Sequence, residues 1–447
     1  MINENERFWG FSSQVAKQVR ALVVVPIFQE NKGEGASSRC SVSSRVKEAL
    51  GLARAIRLEV VHYEAVNIAA PRPATLLGKG KVDALAHYIS EYYIELAVVD
   101  YFLTPVQQRN LEKLWNCKVI DRTALILEIF GDRAQTKEGV LQVELAHLSY
   151  QKSRLVRSWT HLERQRGGRG FLGGPGETQI EADRRILQEK IIRIRRELET
   201  VIKTRALHRA KRKKASHPVV ALVGYTNTGK STLFNQLSGA DVLAKDMLFA
   251  TLDPTLRKVI LPHGKTILLF DTVGFISNLP THLIAAFRAT LEEVVEADLI
   301  LHVRDMADVD HYAHAKDVLE VLSSLGINVD DTEHIIEVWN KIDLLDEHAL
   351  NILQTSAKTR LNPAAMVSAL MSDGLDQLLT VIEKKIFGRM QNVECLLRPH
   401  EMSLIDWFYE NSCEIMQEGH DDGSVTIRAV LTSEAKKRLD HIKQNMN

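Results

Sequence analysis

The residues of this chain that are best suited to chemistry lie together in Gly224-Tyr225-Thr226-Asn227-Thr228-Gly229-Lys230-Ser231. Glycine has no Cβ and accepts positive φ, so Gly224 and Gly229 allow backbone N–H groups to turn toward phosphate oxygens. Lys230 adds a positive charge for the β- and γ-phosphates, and the Ser231 hydroxyl can ligate Mg²⁺. The spacing G-x-x-x-x-G-K-[ST] therefore predicts a site for a nucleoside triphosphate.

The flanking residues supply the two elements that such a loop needs. The apolar run 219–223 predicts a buried strand before the loop, and residues 232–237 continue a helix that begins near Lys230. The unpaired N–H groups at the start of this helix and its positive dipole end face the same anion. A chance glycine-rich turn is the alternative, and the order of strand, loop and helix disfavours it.

A second predicted strand, residues 266–270, ends in Asp271-Thr272-Val273-Gly274. An Asp at the end of a strand beside the phosphate loop can hold Mg²⁺ through water, and the Gly274 N–H can donate to the γ-phosphate. The sequence therefore predicts a magnesium ligand and a γ-phosphate donor three positions apart.

A third predicted strand, residues 335–339, leads into Asn340-Lys341-Ile342-Asp343. The Asp343 carboxylate can accept from both the ring N–H and the exocyclic amine of guanine, a donor pair that adenine lacks. Further on, the backbone of Ser368-Ala369-Leu370 follows a strand-like Val367 and could contact the base. We therefore expect GTP or GDP as the bound nucleotide.

Two positions between and after these motifs bear on hydrolysis. In Phe249-Ala250-Thr251-Leu252-Asp253-Pro254-Thr255, either threonine could place its hydroxyl on Mg²⁺, although each also suits an ordinary turn. Phe275 follows Gly274, where many GTPases carry a glutamine that orients the attacking water. Phenylalanine cannot do this, so we predict slow unassisted hydrolysis that a partner accelerates.

Composition limits the classes of protein that fit. The chain has 447 residues, enough for roughly three domains, and 45% hydrophobic with 26% charged residues is typical of globular proteins. Lys plus Arg and Asp plus Glu each total 57, so net charge indicates no partner. The four cysteines have no metal-type spacing, and no apolar run reaches the ~20 residues of a membrane span. We expect a protein of the reducing cytoplasm without stable membrane insertion.

The chain before the phosphate loop divides in two. Residues 1–139 alternate strand-like and helix-like segments, with Ser43 or Ser44 as the expected first helix cap, which predicts a small α/β domain with a mostly parallel sheet. Residues 140–214 are helical except at the glycine-rich stretch 167–176, which predicts an antiparallel helical hairpin. Residues 181–214 carry thirteen Lys or Arg against five Asp or Glu. Such a helix favours RNA contact, and a solvated charged face is the alternative.

The predicted architecture is α/β throughout, with a P-loop GTPase domain whose mostly parallel sheet is flanked by helices. The GTPase domain is assigned to residues 215–388, and residues 389–447 are expected to form a small α+β domain whose last helix Ser433 caps. In the N-terminal part, Gly78-Lys79-Gly80-Lys81 suits either phosphate binding or a basic turn before a helix.

The chain resembles the HflX family of translation-associated GTPases. Outside the common GTPase motifs, the resemblance is carried by residues 78–81, 107–111 with 119–123, 139–145, and Gly174-Pro175-Gly176-Glu177-Thr178-Gln179. It implies an N-terminal family domain, a helical hairpin, a central GTPase domain and a variable C-terminal extension. Gly173 departs from the arginine that many relatives carry at this place.

The resemblance also implies functional residues and partners. It selects Thr251 over Thr255 as the switch threonine, with Phe249, Ala250, Leu252 and Asp253 around it, and gives Lys230, Thr251 and Gly274 as catalytic and Ser231, Thr251 and Asp271 as Mg²⁺ ligands. The expected partner is the large (50S) ribosomal subunit and its rRNA, not DNA, with a monomeric protein that separates or rescues stalled ribosomes. Peripheral membrane association is compatible with it. An assembly GTPase and an RNA-remodelling ATPase are the alternatives.

Overall fold

The structure is a computed structural model that describes residues 18–28, 40–158, 175–214, 217–239, 248–249, 255–277, 291, 293–331, 333–359 and 364–446. Two predicted segments lie outside these residues. They are the switch residues Ala250, Thr251, Leu252 and Asp253, and most of the glycine-rich stretch 167–176, including Gly173.

The first sheet has four parallel strands in the order β2-β1-β3-β4. Leu22, Val23, Val24 and Val25 in its central strand are fully buried, because helices cover both faces of a parallel sheet. We term these strands and the four helices between and after them the N-terminal unit: β1 (Arg20–Phe28), α1 (Val42–Ala55), β2 (Glu59–Ile68), α2 (Lys79–Glu91), β3 (Leu96–Val99), α3 (Pro105–Trp115), β4 (Lys118–Asp121) and α4 (Arg122–Arg133).

Helix caps in this unit explain where its helices begin. Thr104 and Gln107 form a capping box, with Pro105 in the first turn of α3. The expected cap of α1 at Ser43 or Ser44 is wrong, because Ser41 has the extended backbone of a cap and its Oγ accepts from the Ser44 N–H at 3.2 Å. All three serines suit a cap chemically, so sequence alone does not distinguish them.

Two long helices follow and pack side by side: α5 (Lys137–Ser158) and α6 (Pro175–Lys214). Leu141 and Leu148 of α5 contact Ile191, Ile194 and Leu198 of α6 in a small apolar core. Helix α6 already begins at Pro175, inside the stretch 167–176 that was expected to be non-helical. No helix within the described residues is long and apolar enough to cross a membrane.

Among the residues that the structure describes, the central sheet has six strands in the order β10-β9-β8-β5-β7-β6, and only β6 runs antiparallel. The predicted P-loop GTPase sheet, mostly parallel and flanked by helices, is therefore confirmed. Its elements are β5 (Val219–Gly224), α7 (Lys230–Ser238), β6 (Thr255–Ile260), β7 (Thr266–Asp271), β8 (Leu299–Asp305), α8 (His311–Ser324), β9 (Ile335–Asn340), α9 (Glu347–Thr359), β10 (Ala365–Met366) and α10 (Leu375–Phe387).

The last elements form a small antiparallel sheet with two helices. The strand order is β11-β13-β12, and Phe408, Leu397 and Leu431 are fully buried in its core. Thr432, not Ser433, caps the last helix, because its Oγ1 accepts from the Ala435 N–H at 3.1 Å. The elements are β11 (Gln391–Leu397), α11 (Leu404–Asn411), β12 (Ser412–Gly419), β13 (Val425–Leu431) and α12 (Ser433–Met446).

The N-terminal unit and the central sheet share one apolar core. Phe130 of α4 packs edge-on against Phe249, with ring centroids 4.8 Å apart. Leu248 lies so close to α1 that a Cβ built on Gly51 would be 2.9 Å from it. Phe275 belongs to the same cluster of buried side chains. The N-terminal unit therefore packs directly beside the predicted phosphate site.

Candidate nucleotide-binding site

The phosphate loop joins β5 to α7, and its two glycines are required by close contacts. Gly229 has φ 88°, and a Cβ there would lie 2.2 Å from Asn340 Nδ2. A Cβ on Gly224 would lie 2.3 Å from the Val303 carbonyl oxygen of β8. Any other residue would therefore push the loop away from β8 and from Asn340 at the end of β9. The left-handed Gly229 ends the loop directly before the N-terminus of α7.

Lys230 is the first residue of α7 and is buried. Its Nζ donates to the Tyr225 carbonyl oxygen at 2.6 Å, which holds the ammonium inside the curve of the loop. Burial lowers the pKa of Lys230 to about 8, although the Asp271 carboxylate acts in the opposite direction. A phosphate group beside this ammonium would favour its charged form.

Ser231 and Asp271 form the predicted magnesium pair. The Ser231 hydroxyl donates to Asp271 Oδ2 at 2.8 Å, and Asp271 is fully buried at the end of β7. A hydroxyl and a carboxylate oxygen at this separation fit Mg²⁺, which takes one or two protein oxygens together with phosphate oxygens and water. No cluster of three or more His, Cys, Asp or Glu in the described part of the chain could hold a metal by itself.

The segment after Asp271 lies against the phosphate loop. Thr272 Oγ1 donates to the Leu222 carbonyl at 2.6 Å, which fixes the segment to β5. The Phe275 N–H donates to Gly224 O at 3.1 Å, and the Phe275 carbonyl accepts from the Thr226 N–H at 2.7 Å. A Cβ built on Gly274 would lie 2.9 Å from Thr226 Cγ2, 3.0 Å from Thr226 Cα and 3.2 Å from Lys230 Nζ, so the phosphate loop leaves no room for a larger residue here.

The predicted guanine motif meets the phosphate loop through Asn340. Its Nδ2 donates to the Thr228 carbonyl at 2.8 Å, and its Oδ1 accepts from the Ala369 N–H at 2.9 Å. The Ser368 hydroxyl donates to Asp343 Oδ1 at 2.6 Å, which orients that carboxylate. Asn340 therefore connects the loop to both segments expected at the base.

The other predicted contact residues have distinct placements. Lys341 has φ 64° and forms an ion pair with Asp305 at 2.7 Å, a partner that sequence analysis missed. Asn227 also has positive φ, and the Leu370 side chain is exposed. Phe249 is buried against Phe130, and Val273 is buried in the same core. The remaining site assignments stay predictions.

Sequence analysis also missed a buried polar cluster beside Tyr225. The Tyr225 hydroxyl donates to Glu48 and accepts from the Ser277 N–H at 2.8 Å. Burial, followed by the Glu48 carboxylate, raises the pKa of Tyr225 well above its ordinary value, so the hydroxyl stays protonated. Arg122 donates to Glu48, to Asp100 and to the Ser277 carbonyl. No local pattern reveals this cluster, because Glu48 and Ser277 are 229 positions apart.

The loop, the Ser231–Asp271 pair and the Asn340 connection on a mostly parallel sheet define a P-loop GTPase. Models of four protein families match the chain, described as GTP-binding GTPase N-terminal at residues 43–131, GTP-binding GTPase Middle Region at 133–212, 50S ribosome-binding GTPase at 219–341 and HflX C-terminal domain at 352–445. The chain belongs to the HflX family of GTPases. It binds guanine nucleotide and hydrolyses GTP to GDP and phosphate.

Curated relatives cover most of the chain. GTPase HflX of Magnetococcus marinus is 48% identical over 375 residues, which is 84% of this chain and 85% of the relative. GTPase HflX of Escherichia coli is 45% identical over 371 residues, 83% of this chain and 85% of that protein. A solved GTP-binding protein from Sulfolobus solfataricus in complex with GDP aligns over 83% of this chain and 99% of that one, at 22% identity and TM-score 0.45.

Proposed function

We propose that this protein is a Mg²⁺-dependent cytoplasmic GTPase that binds the large (50S) ribosomal subunit as a monomer and acts on stalled ribosomes or in ribosome splitting or biogenesis. The observation that carries the proposal is that Asn340 donates to the Thr228 carbonyl of the same loop that ends in Lys230 and Ser231. This contact supports a single nucleotide bound by both the guanine-type turn and the Ser231–Asp271 pair. The match of residues 219–341 to the 50S ribosome-binding GTPases supports the ribosomal partner.

Each site residue has a defined task in this proposal. Lys230 neutralises charge on the β- and γ-phosphates, and Asp343, oriented by Ser368, selects guanine. Ser231 and Asp271 would hold Mg²⁺, which supplies charge neutralisation for the developing phosphate charge. Gly274 donates its N–H to the γ-phosphate, and Thr251 is proposed as the further Mg²⁺ ligand.

Hydrolysis is proposed to be slow without the ribosome. Phe275 occupies the place of a water-orienting glutamine, and its ring is buried in the core shared with the N-terminal unit. An apolar buried ring neither orients water nor moves to do so without losing packing. A ribosomal group that orients water or adds charge is typically worth about 10³-fold or more in rate.

The α5–α6 hairpin is the proposed contact with rRNA. Within the described part of α6, Arg184, Arg185, Arg193, Arg195 and Arg196 are exposed. Arg185–Glu189 and Arg193–Glu197 form weak i,i+4 contacts at 4.0 and 3.6 Å, so their charge remains available to phosphates. Neutralising phosphates with such side chains makes affinity fall steeply with salt.

Co-sedimentation with separated ribosomal subunits tests the proposal. We expect binding to 50S particles with a non-hydrolysable GTP analogue, weaker binding with GDP, and faster GTP hydrolysis in the presence of 50S. The double variant Arg193→Glu/Arg196→Glu should lose binding and flatten the salt dependence, while Arg438→Glu on α12 should not. Binding to immature particles alone would favour the assembly GTPase. Equal displacement of labelled GDP by ATP and GTP would overturn the guanine assignment.

A further inference from the structure

A buried polar cluster connects the N-terminal unit to the phosphate loop; we term it the Tyr225 cluster. It consists of the Glu48, Asp100, Arg122 and Tyr225 side chains and the Ser277 backbone. Arg122 Nη1 donates to Asp100 Oδ1 at 2.5 Å, and its Nη2 donates to Glu48 and to the Ser277 carbonyl, the latter at 2.9 Å. The Tyr225 hydroxyl completes the cluster between Glu48 and the Ser277 N–H.

The cluster is shielded from water. The Arg122, Glu48 and Asp100 side chains are only 8%, 10% and 4% exposed. Hydrogen bonds between charged groups in such a setting are stronger than neutral bonds, and an unmatched partner is costly. Both the N–H and the carbonyl of Ser277 are therefore held firmly by side chains, one of which belongs to the N-terminal unit.

Ser277 is linked to Gly274 through a short, hydrogen-bonded piece of chain. Between them, the Phe275 N–H and carbonyl pair with Gly224 and Thr226 of the phosphate loop. This pairing holds Gly274 over the Lys230 ammonium, where even a Cβ would be only 3.2 Å from Nζ. A γ-phosphate that contacted both Lys230 and the Gly274 N–H would have to fit between them and would therefore push this segment outward.

A second contact joins the N-terminal unit to the chain before Thr251. Phe249 packs against Phe130 of α4, and Leu248 packs against Gly51 of α1. Helices α1 and α4, which carry Glu48 and Arg122, therefore also contact the chain that precedes the predicted switch threonine. The polar and apolar contacts lie on the same two helices.

We propose that Glu48 and Arg122 are positioning residues of the GTPase reaction: through Tyr225 and Ser277 they hold Gly274 against the phosphate loop, and γ-phosphate binding opposes this hold. The N-terminal unit thereby biases the site toward GDP and senses the γ-phosphate. The inference rests on the proposed contact between Gly274 and the γ-phosphate. GDP, which has no γ-phosphate, leaves the Tyr225 cluster intact.

The test compares affinities of the full-length protein for GDP and for the β,γ-imido analogue of GTP in Mg²⁺ buffer. Tyr225→Phe removes one hydroxyl from the cluster, and Arg122→Lys keeps the buried charge but cannot reach three acceptors at once. We expect each variant to raise the affinity for the analogue relative to GDP by about tenfold, the value of one charge-assisted hydrogen bond. In Arg122→Lys, the affinity for GDP should change by less than about twofold, and a thermal unfolding midpoint verifies that each variant is folded.

Two further variants separate the possible failures. Arg45→Lys is the matched control, because Arg45 also lies on α1 but its guanidinium donates to Pro26 O within the N-terminal unit. This variant should leave the ratio of the affinities for the analogue and for GDP unchanged. Gly274→Ala should lower the affinity for the GTP analogue more than the affinity for GDP. If it does not, the proposed contact between Gly274 and the γ-phosphate is wrong. Suppose that Gly274→Ala loses more affinity for the GTP analogue than for GDP, while Tyr225→Phe and Arg122→Lys keep the wild-type ratio of the two affinities. The positioning role of the cluster is then overturned.

Discussion

Asn340 donates a hydrogen bond from Nδ2 to the Thr228 carbonyl at 2.8 Å, so the end of β9 supports the phosphate loop between β5 and α7. The same amide accepts from Ala369 through Oδ1. One buried side chain thus fixes the distance between the expected positions of the base and the phosphates. Guanine recognition and phosphate binding therefore depend on each other.

Asp343→Asn tests guanine recognition. An amide cannot accept from both guanine donors, so we expect GDP affinity to fall about 100-fold, the cost of losing two charge-assisted hydrogen bonds. Affinity for xanthosine diphosphate should rise, because xanthine has a carbonyl where guanine has its amine. Asp346→Asn, at the cap of α9, is the control, since asparagine caps helices as well as aspartate does. An equal loss in both variants would contradict the assignment.

Lys230 predicts a pH dependence of nucleotide affinity. In the free protein its pKa is lowered to about 8, whereas bound phosphate keeps it charged. Above pH 8 the free protein must take up a proton to bind, so GDP affinity should fall on the order of tenfold between pH 7.5 and 9. Fluorescent GDP titrations measure this, and calorimetry in two buffers of different ionisation enthalpy should detect the proton uptake. A flat profile would contradict the buried state of Lys230.

The same shift fixes the sign of a stability effect. In the unfolded chain, Lys230 has the ordinary lysine pKa of 10.5, whereas burial in the folded free protein lowers its pKa to about 8. Between these values the unfolded state binds more protons, so this group makes the free protein more stable as pH rises. Below pH 8 the buried ammonium lowers the free energy of unfolding by its full amount, and the negative charge of a bound nucleotide offsets this loss.

Phe275→Gln tests whether the missing glutamine alone explains slow hydrolysis. The ring is 3% exposed within the shared core, so we expect the free energy of unfolding to fall by about 3 kcal/mol. The basal hydrolysis rate should not rise, because the new amide has no path to the γ-phosphate without leaving the core. Denaturant unfolding and single-turnover hydrolysis measure the two effects. Phe275→Leu should cost less, and a faster basal rate in Phe275→Gln would refute this account.

Two neighbouring isoleucines of α6 test the hairpin packing. Ile194 is 1% exposed against α5, whereas Ile192 is 40% exposed on the opposite side. We expect Ile194→Ala to lower hairpin stability by about 3 kcal/mol and Ile192→Ala by less than about 0.5 kcal/mol. Hydrogen exchange of α6 amides reports local stability directly. Equal protection in both variants would mean that α6 does not depend on α5.

The elements predicted best from sequence are those whose signal is local. The strand before Gly224, the helix after Gly229 and the position of Asp271 follow from apolar runs and glycine spacing, and the sheet bears them out. The cap of α1 was misplaced because neighbouring serines are chemically equivalent. Strands β11 and β12 were not predicted, since their alternating exposed residues give no continuous apolar run.

The contacts that sequence could not provide are the long-range ones. Arg122 and Ser277 are 155 positions apart, and nothing near either residue indicates the other. Lys341 was expected at the nucleotide, but its partner Asp305 lies at the end of a different strand. Pairings of this kind depend on how sheets and helices are arranged in space, which local propensity does not determine.

The core shared by Phe130, Phe249 and Phe275 also has a consequence for how the chain is made. When the N-terminal unit leaves the ribosome during synthesis, the apolar faces of α1 and α4 still lack their covering residues, which are translated well over a hundred codons later. Domains generally fold as they emerge, and uncovered apolar faces invite aggregation. We therefore expect the N-terminal unit of a nascent chain to be prone to aggregation until the central strands have been translated.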